Sequence, residues 1–242
     1  MNLPHELTIN LLKNHTHEDL NRNSLIVGVH KAREKTIRLL NDIKQNLYLG
    51  INEVNARKLA LQIAYDHGVK KHWHQPYIRF CCGTSLSFHE PLQQNNILKI
   101  DEPYYIDIGP VWIDQKLNIE YEGDYGDTFI WGENLEVEKC IQFTKDLFLR
   151  AKKKWIEEKF TGEQIYHFIK QHTQENGYLL MEDFDGHRIS DFPHHKYTKV
   201  RLARLDSKPC DSFWILELQI NDSKGRFGAF FEDILTNYNM EI

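Results

Sequence analysis

The sequence predicts an α+β domain in which helices cover one face of a curved antiparallel sheet, and three observations carry that expectation. A pair of amphipathic helical stretches occurs early in the chain and again in its second half. Each pair is followed by segments rich in β-branched and aromatic residues, so the chain reads as two helix–helix–strand halves of an internal duplication. No linker rich in Gly, Pro or Ser divides it. One domain is therefore expected over 24–242, behind a polar lead-in over 1–23.

In residues 24–47, SLIVGVHKAREKTIRLLNDIKQNL, the residues Ile26, Val29, Ala32, Ile37 and Leu40 fall near one helical face. A second helix is expected over about 52–66, ended by Gly68. PYIRF (76–80) and EPYYIDIGPVWI (102–113) then read as strands. The second half opens with a long helix over 135–158, whose apolar face carries Val137, Cys140, Ile141, Leu147, Phe148 and Ala151, with Thr144 its one polar member. Its partner runs from Thr161, a candidate N-cap, to a stop at Gly177. YLLMEDF (178–184) and DSFWILELQI (211–220) are the strand-like segments that follow.

Composition excludes several classes. With 41% hydrophobic and 27% charged residues in 242, the chain has the makings of a packed core rather than disorder. Its formal charge of −5 and lack of a basic run argue against a nucleic-acid partner. No apolar segment approaches a membrane span, and MNLPHELTINLLKNHTHEDL lacks the basic start and apolar centre of a signal peptide. Cys81, Cys82, Cys140 and Cys210 match neither a zinc spacing nor a disulfide framework, so a reducing cytoplasm is the expected setting.

Acids interrupt apolar strands in three places: Asp107 in YYIDIGPVW, Glu217 in FWILELQI and Glu232 in GAFFEDIL. A carboxylate there is costly to bury unless it is paired, protonated or bound to metal. No comparable run of Lys or Arg is placed to neutralise them, and DGHRISDFPHH (185–195) gathers His187, His194 and His195. A cation is the simplest partner. Carboxylates with a single imidazole suit two divalent ions about 3.5–4 Å apart, a pairing that produces hydroxide near neutral pH and polarises a carbonyl. Oxygen-rich ligation favours Mn²⁺, with Co²⁺, Fe²⁺ or Zn²⁺ as alternatives. The chemistry that follows is hydrolysis.

The ordered set IDIG (106–109), EGDYGDTF (122–129), GHRISDFPH (186–194), LELQ (216–219) and FFEDI (230–234) resembles the methionine aminopeptidase and Xaa-Pro aminopeptidase family, from about residue 24 to the C-terminus. That resemblance implies the pita-bread fold and a dinuclear site. Carried over residue by residue, it implies one metal held by Asp107, Asp124 and Glu232, and another by Asp124, His187, Glu217 and Glu232. It makes Glu217 the proton shuttle and gives His194 the role of contacting the substrate carbonyl. His89 in LSFHEPL falls, by position more than motif, where the family has a substrate-orienting histidine; His195 is expected to have no chemical role. The interval from Asp107 to Asp124 is long, so the hairpin through IDQKLNIE should project further. Asp127 replaces a basic residue beside the metals and stays open as an alternative to Asp124. Gly-His-Arg-Ile-Ser and Pro193 depart from the family pattern and count against the methionine-specific enzyme.

HWH in KKHWHQPY (70–77) could put His72 and His74 on one strand face, but with no third ligand nearby in sequence it reads as a surface or substrate-channel feature. Cys81 and Cys82 read as packing or pocket lining, without a base to activate a nucleophile. Three functions compete. The first is a dinuclear metal-dependent aminopeptidase, Xaa-Pro aminopeptidase-like, in which a metal-bound hydroxide removes the N-terminal residue of short peptides. The second is a hydrolase of a non-peptide amide or modified amino acid, with the altered loop at Arg188 making room; the third is a silent peptide-binding module. The expected partner is a short peptide or small amide, with a homodimer plausible.

Overall fold

The computed structural model describes residues 18–237. The expected lead-in over 1–23 lies outside the described residues as far as 17, and helix α1, Glu18–Asn46, already occupies its last residues. Residues 238–242 also lie outside. The buried stripe of α1 is Leu25, Val29, Ala32, Thr36, Leu39, Leu40 and Ile43, whereas Ile26 and Ile37 sit at its edge, so the core-facing side is rotated slightly from the expected one.

Helix α2, Glu53–Asp66, starts where the Asn52 side chain accepts from Asn55 N at 2.8 Å. Its buried Ala56, Ala60 and Ala64 form a narrow ridge that packs close to strand β1, Lys71–Phe80. In the second half, α3 (Leu135–Glu157) is capped by Asn134, and α4 (Gly162–Glu175) opens with a capping box between Thr161 and Gln164. The apolar face expected of α3 is buried, joined by Trp155 at its C-terminal end, while Ile141 is only partly buried.

The remaining strands are β2 (Pro103–Asp114), β3 (Ile119–Glu122), β4 (Tyr125–Ile130), β5 (Leu179–Leu180), β6 (His187–Arg188), β7 (Trp214–Asn221) and β8 (Gly228–Ile234). All pair antiparallel in one eight-stranded sheet of order β1-β2-β4-β8-β7-β5, with β3 added to β2 and β6 to β7. The first half supplies one flank and the second half the other, meeting where β4 adjoins β8. The expected 178–184 strand shrinks to the two residues of β5. The β2–β3 hairpin pairs from Val111 with Glu122 out to Asp114 with Ile119.

Side-chain alternation gives the sheet two unlike faces. Ile106, Ile108, Tyr125, Leu216, Leu218 and Phe231 belong to the main core, under α1 and α3. Two buried ion pairs brace the fold. Asp233 of β8 receives both the Nε and an Nη of Arg33 on α1 at 2.5 Å. Glu53, fully buried, holds Arg79 at 3.4 Å, Phe80 N at 3.1 Å and Asn96 Nδ2 at 2.7 Å. Arg79 in turn donates to the carbonyls of Ser87, Glu90 and Pro91, which fixes the loop after β1.

Removing one partner of a buried ion pair leaves an uncompensated charge. Asp233→Ala should therefore destabilise the protein by about 3–5 kcal/mol, read as a lower urea midpoint, and a loss under about 1 kcal/mol would contradict the role given to Arg33.

Candidate metal centre

The other face of the sheet carries the acids. Cross-strand partners lie side by side and point the same way. Asp107 pairs with Gly126, Gly126 with Glu232, and Glu232 with Glu217, a single row across β2, β4, β8 and β7. Asp124 is two residues from Gly126, and His187 pairs with Ile215, two residues from Glu217, so both join this face. The side chains meet. His187 Nε2 lies 2.9 Å from Asp124 Oδ2 and 3.3 Å from Glu217 Oε1. Asp107, His187, Glu217 and Glu232 line one cavity of about 130 Å³ with Trp73, His74, Tyr77, Phe88, Phe184 and Arg201. A larger groove of about 370 Å³ between α1 and the β2–β3 hairpin, lined by Lys31, Trp112 and Tyr121, holds no histidine.

Parity separates the two candidate aspartates. Asp127 is three residues from Asp124, pairs with Ile106, and so points to the helical face, where Lys145 of α3 binds it at 2.7 Å. It adds no charge beside the cluster. The same parity sends Glu232 to the cavity and its neighbour Asp233 to Arg33.

Two other expectations change. His89 is exposed, its ring 4.0 Å from Phe88; Phe88, held by the loop that Arg79 anchors, is the residue that reaches the cavity. Arg188 faces away from His187 and stacks on Tyr197 and Phe213, at 4.8 and 5.1 Å. The Gly-His-Arg change thus alters packing behind the site. His194, on a short 3₁₀ turn over His194–Lys196, stacks 5.1 Å from His187. Glu122 accepts its backbone N–H at 2.8 Å and its Nδ1–H at 2.9 Å, leaving Nε2 as the free ring nitrogen. His195 is exposed, and burial pushes the Cys81 thiol up to about 12.

Charge is concentrated here without ordinary compensation. Burial, then Asp124 and Asp107, hold Glu232 well above the usual carboxylate range. Burial pushes Asp107 up to about 6, opposed by His74. Burial would depress both His187 and His74, but the carboxylates outweigh it, Asp124 and Glu217 for His187, and Asp107 with Asp124 lifting His74 to about 9. Asp124 is held low against its burial by these two imidazoles. Yet both oxygens of Asp124, one each of Asp107 and Glu232, and His187 Nε2 are buried without a completed hydrogen bond. Convergent, unsatisfied N and O atoms of these types suit a divalent cation, and His/carboxylate groups that could hold one form at Asp124, His187 and Glu217 and at His74, Asp107 and Asp124.

The backbone makes room for this. Gly186 has φ +65°, and a Cβ there would stand 2.6 Å from Ile215 O; its N–H donates to Glu217 Oε2 at 3.2 Å. A model of a known family matches residues 28–236, described as metallopeptidase family M24. The chain belongs to that family.

Solved structures agree on the fold, which is the pita-bread architecture of M24 peptidases. X-Pro aminopeptidase from Thermotoga maritima superposes with a TM-score of 0.68 at 18% identity, over 91% of this chain and 63% of that one. Prolidase from Thermococcus sibiricus gives 0.70 at 16%, over 91% and 60%. Methionine aminopeptidase from Thermotoga maritima gives 0.64 at 16%, over 89% and 97%. The M24 chain thus spans less than two thirds of the first two and nearly all of the third. No curated protein matches it. Among the described residues no helix is long and apolar enough to cross a membrane.

The site contains two residues that the sequence did not single out, Glu122 behind His194 and Arg201, whose Nη2 lies 3.5 Å from Glu217 Oε2. It also brings in His74 of the HWH stretch, which the sequence left as a surface or channel residue. A cation must displace the protons that the raised groups retain. Divalent-ion affinity should rise with pH through the window between Asp107, at about 6, and His74, at about 9. Calorimetry with Mn²⁺ in buffers of different ionisation enthalpy should show proton release, and an affinity flat across that window would contradict this electrostatic picture.

Proposed function

We propose that this M24 protein is a dinuclear metal-dependent aminopeptidase, Xaa-Pro aminopeptidase-like, acting on short peptides. The observation that carries the reading is the meeting of Asp107, Asp124, His187, Glu217 and Glu232 on one buried face, with polar atoms left unsatisfied. Asp107, Asp124 and Glu232 would hold one ion, and Asp124, His187, Glu217 and Glu232 the other. Such ions, when bound, activate water and polarise a scissile carbonyl. Oxygen-rich ligation favours Mn²⁺.

The chain's own groups divide the remaining work. Glu217 takes a proton at its carboxylate and returns it to the leaving amine; Gly186 N–H and Arg201 fix its Oε2. His194 is oriented by Glu122, which accepts its Nδ1–H, and the doubly protonated ring is the form that donates Nε2–H to the substrate carbonyl oxygen. Trp73, Tyr77, Phe88 and Phe184 wall the cavity against water, and a volume of about 130 Å³ supports a small side chain and a short substrate. A cytoplasmic setting accords with four free cysteines.

A second reading, hydrolysis of a small non-peptide amide, rests on the same small cavity. Metal-loaded protein tested on a panel of short peptides and small amides separates the two, with peptide turnover expected. Bound metal with amide turnover alone would replace the first reading by the second, and no metal uptake would end both. Glu217→Gln should lower kcat by about 10²–10⁴ while the circular dichroism spectrum stays unchanged; full activity would remove Glu217 as the shuttle.

A further inference from the structure

We propose that His74 is itself a metal ligand, so that the ion position of Asp107 and Asp124 carries an imidazole just as the other carries His187. The proposal rests on the dinuclear reading above and extends its ligand set by one residue, taken from the HWH stretch of β1.

His74 Nε2 lies 3.3 Å from Asp107 Oδ1 and 3.5 Å from Asp124 Oδ1. Neither oxygen completes a hydrogen bond, although both are buried. A plain ion pair would close one of these gaps. Ligand atoms about 2.0–2.2 Å from a common ion stand about 3.0–3.5 Å apart along a tetrahedral or octahedral edge. That is the spacing seen.

The ring's tautomer is set for ligation. His74 Nδ1 is 2.9 Å from Gln75 O, and since a carbonyl only accepts, Nδ1 carries the proton and Nε2 is the ligand atom. His187 does the same thing with the carbonyl of its own following residue, Nδ1 to Arg188 O at 2.7 Å. The two imidazoles then address opposite oxygens of one carboxylate: His74 faces Asp124 Oδ1 and His187 faces Asp124 Oδ2. A carboxylate bridging two ions presents its oxygens in this way.

The position is also reserved for the ring. His74 pairs with Gly109 of β2, and a Cβ on Gly109 would lie 2.4 Å from His74 Nε2 and 2.1 Å from its Cδ2. Trp73 packs edge-on against the ring at 4.3 Å. The sheet register breaks between His72 and His74, so the two histidines do not act as a pair, and His72 stays outside the cavity lining. With a nitrogen at each ion, the site shifts from Mn²⁺ toward Co²⁺, Fe²⁺ or Zn²⁺.

Calorimetry and ¹H NMR of the Co²⁺-loaded protein test this without using activity. Wild type should bind two equivalents and show two exchangeable, strongly shifted imidazole N–H signals, one per bound ring. His74→Ala should keep one tight site, weaken the other at least about tenfold and lose one signal; His74→Gln, which keeps the bulk, should do the same. Two ions with a single N–H signal in wild type, or an unchanged signal count in both variants, would overturn the proposal and leave the dinuclear reading standing. Fewer than two ions in wild type would sink that reading and this ligand with it.

Discussion

A row of residues held in register across four strands is the constraint from which the site follows. In a sheet the side-chain period is two, so a slip of one residue sends a whole strand's side chains to the other face. Here such a slip in β7 would put Leu216 or Leu218 where Glu217 stands opposite Glu232. The leucines belong under the helices, with Phe231 and Ile106, and their burial there is what keeps the register. Packing on one side of the sheet thus fixes chemistry on the other. Gly126 sits in the middle of the row between Asp107 and Glu232. A Cβ there would stand 2.4 Å from the Phe230 ring and 3.0 Å from Glu232 Oε1, so only glycine lets the ring and the acid pack against this strand.

The electrostatics of the two faces are opposite in kind. On the helical side each buried acid has its own base: Asp233 has Arg33, and Asp127 has Lys145. On the cavity side, acids outnumber bases and share two imidazoles through Asp124. Like charges at close range raise proton affinity: beyond burial, Asp124 and Asp107 raise Glu232, and Asp124 and Glu217 raise Asp107. A fold gains nothing in stability from such an arrangement, and its retention accords with a role in binding cations.

Much of this was legible in the chain because the signals were local. Asp107, Glu217 and Glu232 each break an apolar run, which any reading at period two detects, and the helix cap at Thr161 is written within four residues. The choice between Asp124 and Asp127 was not local in the same sense. It depends on which residues of β4 pair with β2, and only the register of Ile106 with Asp127 decides it. His74 was passed over because its partners, Asp107 and Asp124, lie far along the chain and the bulged β1 obscures their alignment. For His89 the position in sequence suggested a place in the cavity, whereas the carbonyls bound by Arg79 turn its neighbour Phe88 inward. Glu122 gave no signal of its own, since a hairpin acid is ordinarily solvated.

The joint between β4 and β8 has a consequence for how the two halves depend on each other. Backbone register there is one pair, Gly126 with Glu232, supplemented by the Thr128 hydroxyl, which donates to Phe230 O at 2.8 Å and accepts from Phe230 N at 2.6 Å. Asp107 and Asp124 come from one side of this seam, and His187, Glu217 and Glu232 from the other. Neither half owns a complete donor set. An ion captured between them would act as a rivet, its binding free energy appearing as cohesion of the two halves, so that loading and mechanical integrity of the seam become one thermodynamic quantity.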